Sequence, residues 1–127
     1  MQKSLIKILF FTLISSQIFA KHIHKEKYYQ VRFCKSEKGI IEYKLSDNTR
    51  VDCLTATHAI EVEFARKWEE SIGQSLYYSI MTKKKAGVYL IIESDKDYKY
   101  LKRLKKVAKK YNIDIYRSDI YYLNNNL

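Results

Sequence analysis

Between Asp52 and Tyr78 the chain reads DCLTATHAIEVEFARKWEESIGQSLYY, and its carboxylates are the residues whose type and spacing could do chemistry. Glu61 and Glu63 alternate with Ile60, Val62 and Phe64 on an apolar stretch. Strand side chains alternate faces, so the two acids share one side and the apolar residues the other. Burying such a pair is costly, because like charges repel and each loses its hydration. A divalent cation would offset that cost. With Asp52 on an adjacent strand, the Asp52 and Glu61 carboxylates and the Val62 carbonyl could converge on one Mg²⁺ or Mn²⁺, hard ions that take oxygen ligands. Water on such an ion is a better nucleophile; Glu63 could orient or deprotonate it, and Lys67 could stabilise charge or hold the water.

These residues need elements to hold them. Residues 24–36 place Tyr29, Phe33 and Cys34 at helical spacing, which predicts a first helix. IIEYKLS (40–46) alternates, Asp47-Asn48 supplies turn chemistry, and RVDCLT (50–55) follows, so a hairpin is expected. HAIEVEF (58–64) is the third strand and carries the acids. From Ala65 to Met81 the residues Trp68, Ile72, Leu76 and Ile80 recur in steps of four, an amphipathic helix with that face inward. Gly73 within it costs about 1 kcal/mol relative to Ala, which fits a close approach to the helix backbone or simple tolerance.

GVYLIIES (87–94) is apolar enough for a strand buried on both faces. Residues 96–111 predict a very basic helix with Tyr100, Leu101, Leu104, Val107 and Ala108 inward, and IDIYRSDI (113–120) a last strand. The order αβββαβαβ makes an α/β fold. Its hairpin must be antiparallel and its β-α-β crossovers parallel, giving a mixed sheet flanked by helices.

The first twenty residues, MQKSLIKILFFTLISSQIFA, join a positive start (Lys3, Lys7), an apolar run from Leu9 to Ile14, and Ala20 before a charged segment. That is the layout of a secretory signal peptide; an uncleaved anchor is the other reading. Residues 21–127 are then expected to form one domain with one core, exported to the periplasm or secreted. No later run reaches transmembrane length, so no membrane contact is expected after cleavage. Residues 21–127 keep 22 of the 24 basic residues and all 14 acidic ones, a net charge of +8. Such a balance favours nucleic acid, an anionic surface or an acidic partner. Export permits a Cys34–Cys53 disulfide, although two buried free thiols are the plainer reading. The cysteines show no zinc-ligand spacing.

Asp52, Glu61-Val62-Glu63 and Gln74-Ser75-Leu76-Tyr77-Tyr78 resemble the PD-(D/E)XK, or restriction-endonuclease-like, nuclease superfamily. The αβββαβ order is similar to its core, and Gln74 with Tyr78 is similar to the helix motif of its RecB-type and Cas4-type branch. The closer part, about residues 40–93, looks like small uncharacterised bacterial and phage-associated members. The resemblance implies a restriction-endonuclease-like core and an exported hydrolase, a Mg²⁺- or Mn²⁺-dependent nuclease acting on phosphodiester bonds of DNA. Asp52, Glu61 and Val62 would hold the metal, Glu63 and Lys67 would join Asp52 and Glu61 in catalysis, and Gln74 and Tyr78 would hold the nucleic acid backbone. The superfamily's usual lysine is replaced here by Glu63, which puts weight on Lys67.

Plainer readings stand beside these. Alternating acids on an edge strand are usually a solvated face, and a lone Lys67 is more often a surface lysine. Trp68 reads as core and His58 as a strand-end surface histidine. Glu26 and Glu42 are outer acids that no motif distinguishes. Lys83-Lys84-Lys85 and the cluster Lys102, Arg103, Lys105, Lys106, Lys109 and Lys110 suit phosphate contacts or a solvated helix face. The alternative to the nuclease is a protein of the same fold that binds nucleic acid or a protein partner without catalysis.

Overall fold

The computed structural model describes residues 21–119. The expected signal peptide, residues 1–20, and the end of the expected last strand, residue 120, lie outside the described residues.

Helix α1 (Glu26–Ser36) opens the fold and ends where Lys38 turns to a left-handed φ of 54° and Gly39 N–H donates to Cys34 O at 2.9 Å. Strands β1 (Ile40–Lys44) and β2 (Arg50–Leu54) form the expected hairpin. Asp47 Oδ1 closes its turn by accepting from Thr49 N–H at 3.0 Å and Thr49 Oγ1 at 2.6 Å, while Asn48 takes the positive φ that Asn tolerates. Strand β3 (His58–Phe64) pairs antiparallel with β2, then parallel with β4 (Lys85–Ile91). Strand β5 (Asp114–Arg117) adds in parallel to β4. The sheet order is β1-β2-β3-β4-β5. The mixed α/β sheet expected from the sequence is thus what the chain forms.

Helices α2 (Trp68–Thr82) and α3 (Tyr98–Tyr111) cover one face. Val88, Leu90 and Ile92 meet Leu101, Leu104 and Ala108 there. Helix α1 covers the other face, where Tyr29 and Phe33 pack on Ile60, Val62 and Ile91. The disulfide Cys34–Cys53 ties α1 to β2. It presses on bare backbone: a Cβ at Gly39 would come within 2.5 Å of Cys53 Sγ and 2.7 Å of Cys34 Sγ, so no larger residue fits.

Two features of the helix after β3 differ from the sequence reading. Its first residues, Ala65–Lys67, form a 3-10 turn, and Ile80, expected inward, is 74% exposed. The most buried line of α2 is instead Ser71, Ser75 and Tyr78, flanked by Trp68, Ile72 and Leu76. Each serine donates back to a helix carbonyl (Trp68 O at 2.6 Å, Ile72 O at 3.1 Å), so these small side chains bury without an unmet polar group. A Cβ at Gly73 would meet nothing within 4 Å. Gly73 is therefore tolerance, and no neighbour requires it. No helix among the described residues is long and apolar enough to cross a membrane.

Candidate functional site

The β2–β3 ladder stops at the Cys53–Ile60 pair. Beyond it the strands part, and Val62 N–H donates to Asp52 Oδ2 at 2.8 Å. A side chain thus takes the place of a strand, and Asp52 is drawn into the gap beside β3. Glu61 and Glu63, on that strand, are each only 5% exposed. The structure therefore places Asp52, Glu61, Val62 and Glu63 near one another, with the Val62 N–H rather than its carbonyl meeting Asp52.

The Asp52 and Glu61 carboxyls lie close enough for each to shift the other's titration. Glu61 Oε2 is buried and has no hydrogen-bond partner among the described residues. Burial, then the charge of Asp52, drives the Glu61 carboxyl far above the usual carboxylate range. Burial also raises Asp52, against the pull of the Val62 N–H. Glu63 is pushed up to about 7 by burial, although Phe64 N–H, 2.9 Å from its Oε1, favours the charged form.

Two further acids close the recess. Glu26, from the first turn of α1, is raised by burial and lies close enough to Glu63 for each to shift the other's titration. Glu42 has a φ of 55° in the middle of β1, in the left-handed region that a glutamate adopts only under constraint. There it accepts from Gln30 Nε2 at 2.7 Å. The same Gln30 nitrogen donates to Asp52 O at 3.0 Å, so the twist in β1 lets one α1 side chain serve both strands. Lys27 Nζ lies 3.5 Å from Glu42. Gln30 went unnoticed in the sequence; its only signal was a glutamine beside the inward Tyr29 and Phe33 of α1.

Tyr78 is buried in α2, and its hydroxyl points to Gln74 Oε1 at 3.5 Å. Burial and then the negative charge of Glu61 and Asp52 raise the phenol to about 12, so its ring walls the acidic recess. Lys67 stands apart. It is exposed on the 3-10 turn and forms no ion pair among the described residues, acting on Glu26 and Glu63 only through its field.

The basic side of the molecule is α3. Lys99, Lys102, Arg103, Lys105, Lys106, Lys109 and Lys110 are all exposed, and the helix contains no acidic residue. None of the seven is in an ion pair among the described residues. The Lys83–Lys85 run behaves differently. Lys84 Nζ donates to the carbonyls of Thr55 and Ala56 at 2.7 and 2.8 Å, and Lys85 pairs with Asp114 at 2.7 Å. Both are committed to the fold. His58 Nε2 meets the same Asp114 at 2.7 Å, linking the starts of β3 and β5.

The chain is similar to a KilA-N domain-containing protein of Acanthamoeba polyphaga mimivirus, 34% identical over 92 residues, which is 72% of this chain and 36% of the relative. It thus spans about a third of the length of the relative it matches. No family model and no solved structure matches the chain.

This similarity overturns the expected membership of the PD-(D/E)XK superfamily and, with it, the nuclease and hydrolase activity. The relative is named for a different kind of domain. The geometry gives the physical reason that short motifs misled. Among the described residues no group of three or more His, Cys, Asp or Glu side chains has the spacing to hold a metal ion. Lys67 forms no ion pair with Asp52 or Glu61, and Gln74 and Tyr78 turn toward each other. The mixed α/β sheet stands without the restriction-endonuclease-like label.

Proposed function

We propose that this protein binds nucleic acid, DNA foremost, through the exposed face of α3. The observation that carries this reading is the run of seven exposed and unpaired cations on one helix without an acid. Lysines and arginines in such an array contact phosphates and release condensed counterions, which gives affinity without sequence preference. The similarity to a protein named for a KilA-N domain, a DNA-binding type of domain, points the same way. Binding to a labelled duplex, followed by fluorescence anisotropy across a salt series, tests it. The logarithm of the binding constant should fall with the logarithm of salt at a slope of about −4 to −6, as roughly four to seven phosphate contacts require. Absence of binding at about 50 mM salt, or a flat salt response, would sink the reading.

The Mg²⁺ or Mn²⁺ expected at the acidic recess is carried here as a proposal without catalysis. Asp52 and Glu61 would hold it, and the unpartnered Glu61 Oε2 is the free oxygen that supports it. Such an ion would neutralise acids that otherwise repel phosphate. Export is proposed as well, supported by the disulfide between Cys34 and Cys53, which suits an oxidising compartment. N-terminal sequencing of protein recovered outside the cytoplasm should begin at Lys21; a chain that keeps Met1 there counts against cleavage.

A further inference from the structure

The face of the sheet under α1 is only part covered. Five strands about 4.8 Å apart span roughly 19 Å, whereas one helix is about 10 Å across. Helix α1 packs chiefly on β1, β2 and β3 and touches β4 and β5 through Phe33, so among the described residues β4 and β5 are the less covered part of this face. There the chain forms a groove of about 1120 Å³. Its floor is aromatic. Phe33 and Tyr89 are stacked with ring centroids 4.1 Å apart, and Tyr116 lies 5.3 Å from Phe33 at a tilt. Tyr28, Arg32 and Lys35 on α1 stand along the wall.

Two details separate this groove from a mere packing defect. Burial alone pushes the Tyr89 phenol up to about 12, yet its hydroxyl has no hydrogen-bond partner among the described residues, although a half-buried tyrosine normally finds one. The wall also carries cations within reach of aromatic rings, Arg32 standing 5.1 Å from the Tyr28 centroid. Stackable rings, an unused hydroxyl and a flanking guanidinium and ammonium match the faces, edges and phosphate of an unpaired nucleotide.

We infer that the groove between α1 and β5 binds an unpaired base of single-stranded nucleic acid, which stacks on Tyr116 while Arg32 and Lys35 take its phosphates. This rests on the nucleic-acid reading and gives it a ligand class: strands with exposed bases are held better than closed duplex. The helix α3 contacts supply sequence-independent grip, and the groove supplies the preference for an open strand.

The test compares a twelve-nucleotide oligodeoxythymidylate with a duplex of equal length, by anisotropy, on wild type, Tyr116→Leu and Tyr116→Phe. Leucine keeps apolar bulk but offers no ring, and stacking contributes about 1–3 kcal/mol per base. Tyr116→Leu should therefore weaken single-strand binding roughly fivefold to a hundredfold, leave duplex binding as it was, and be rescued by Tyr116→Phe. Photocrosslinking of a bromouracil-substituted strand should attach to the peptides holding Tyr89 or Tyr116. Unchanged single-strand affinity in Tyr116→Leu, or crosslinks confined to α3, would overturn the groove while leaving the α3 reading intact. Failure of wild type to bind either nucleic acid would overturn the α3 reading and the groove with it.

Discussion

Glu61→Gln raises the melting temperature at pH 8 by an expected 8–20 °C and leaves it almost unchanged at pH 5. The Glu61 carboxyl is 5% exposed, faces Asp52, Glu63 and Glu26, and has no cation paired with it among the described residues. Burial and those neighbours hold its folded pKa well above the unfolded value of 4.5. A raised acid means that the folded state binds the extra proton. Its stabilising contribution is fully present below pH 4.5 and is lost as pH rises toward and through the folded value. Glu63, raised to about 7, adds a loss of the same sign between about pH 4.5 and 7. Wild type should therefore weaken steadily from pH 5 to pH 8.

Glutamine is the neutral isostere of the protonated glutamate, so it escapes the Glu61 share of that loss. The expected gain is about 2–3 kcal/mol at pH 8, and each kcal/mol moves the midpoint of a domain this size by about 4–8 °C. Thermal denaturation by circular dichroism at both pH values reads it directly. Equal melting temperatures for variant and wild type at pH 8 would show that Glu61 is not the strained group. Millimolar Mg²⁺ or Mn²⁺ adds a further arm. If the recess takes the ion, wild type should be stabilised at pH 8 by ligand linkage and Glu61→Gln much less.

The second large effect belongs to α3. Replacing Lys102, Lys105, Lys106 and Lys109 by Glu together should lower duplex affinity by more than a hundredfold at about 100 mM salt and flatten the salt slope by roughly four. All four side chains are exposed, and the inward Leu101, Leu104 and Ala108 are untouched. The fold should therefore persist, which a far-ultraviolet spectrum verifies. Reversal also shifts the formal net charge from +10 to +2, so the slope, more than the affinity alone, identifies direct contact. A variant that binds with the wild-type slope would place the nucleic acid elsewhere.

Much of this architecture was legible in the residues. Alternation in 40–46 and 58–64 and the Asp47-Asn48 turn located the hairpin and the acidic strand, and the apolar run near Leu90 located a strand buried on both sides. What escaped had no hydrophobic signal. Ser71 and Ser75 let α2 approach the sheet because they are small, a quality that a search for apolar steps passes over, and it therefore turned Ile80 inward by mistake. The φ of Glu42 is imposed by tertiary contacts with Gln30 and is invisible in a strand pattern. The acidic recess itself was found because two acids on an apolar strand are costly anywhere. The nuclease drawn from it was overturned by the similarity to a protein named for a different domain, because three short motifs fix residue types without fixing a family.

Helix α1 has one more consequence. Glu26 and Gln30 lie on one flank of it, and Tyr28, Arg32 and Lys35 on the other, as a period of 3.6 residues dictates. The acidic recess and the aromatic groove are therefore two rooms divided by a single wall, and one bolt, Cys34 to Cys53, fixes that wall to the sheet. Whatever shifts the register of that one helix on the sheet is therefore felt by the acids on one flank and the rings on the other.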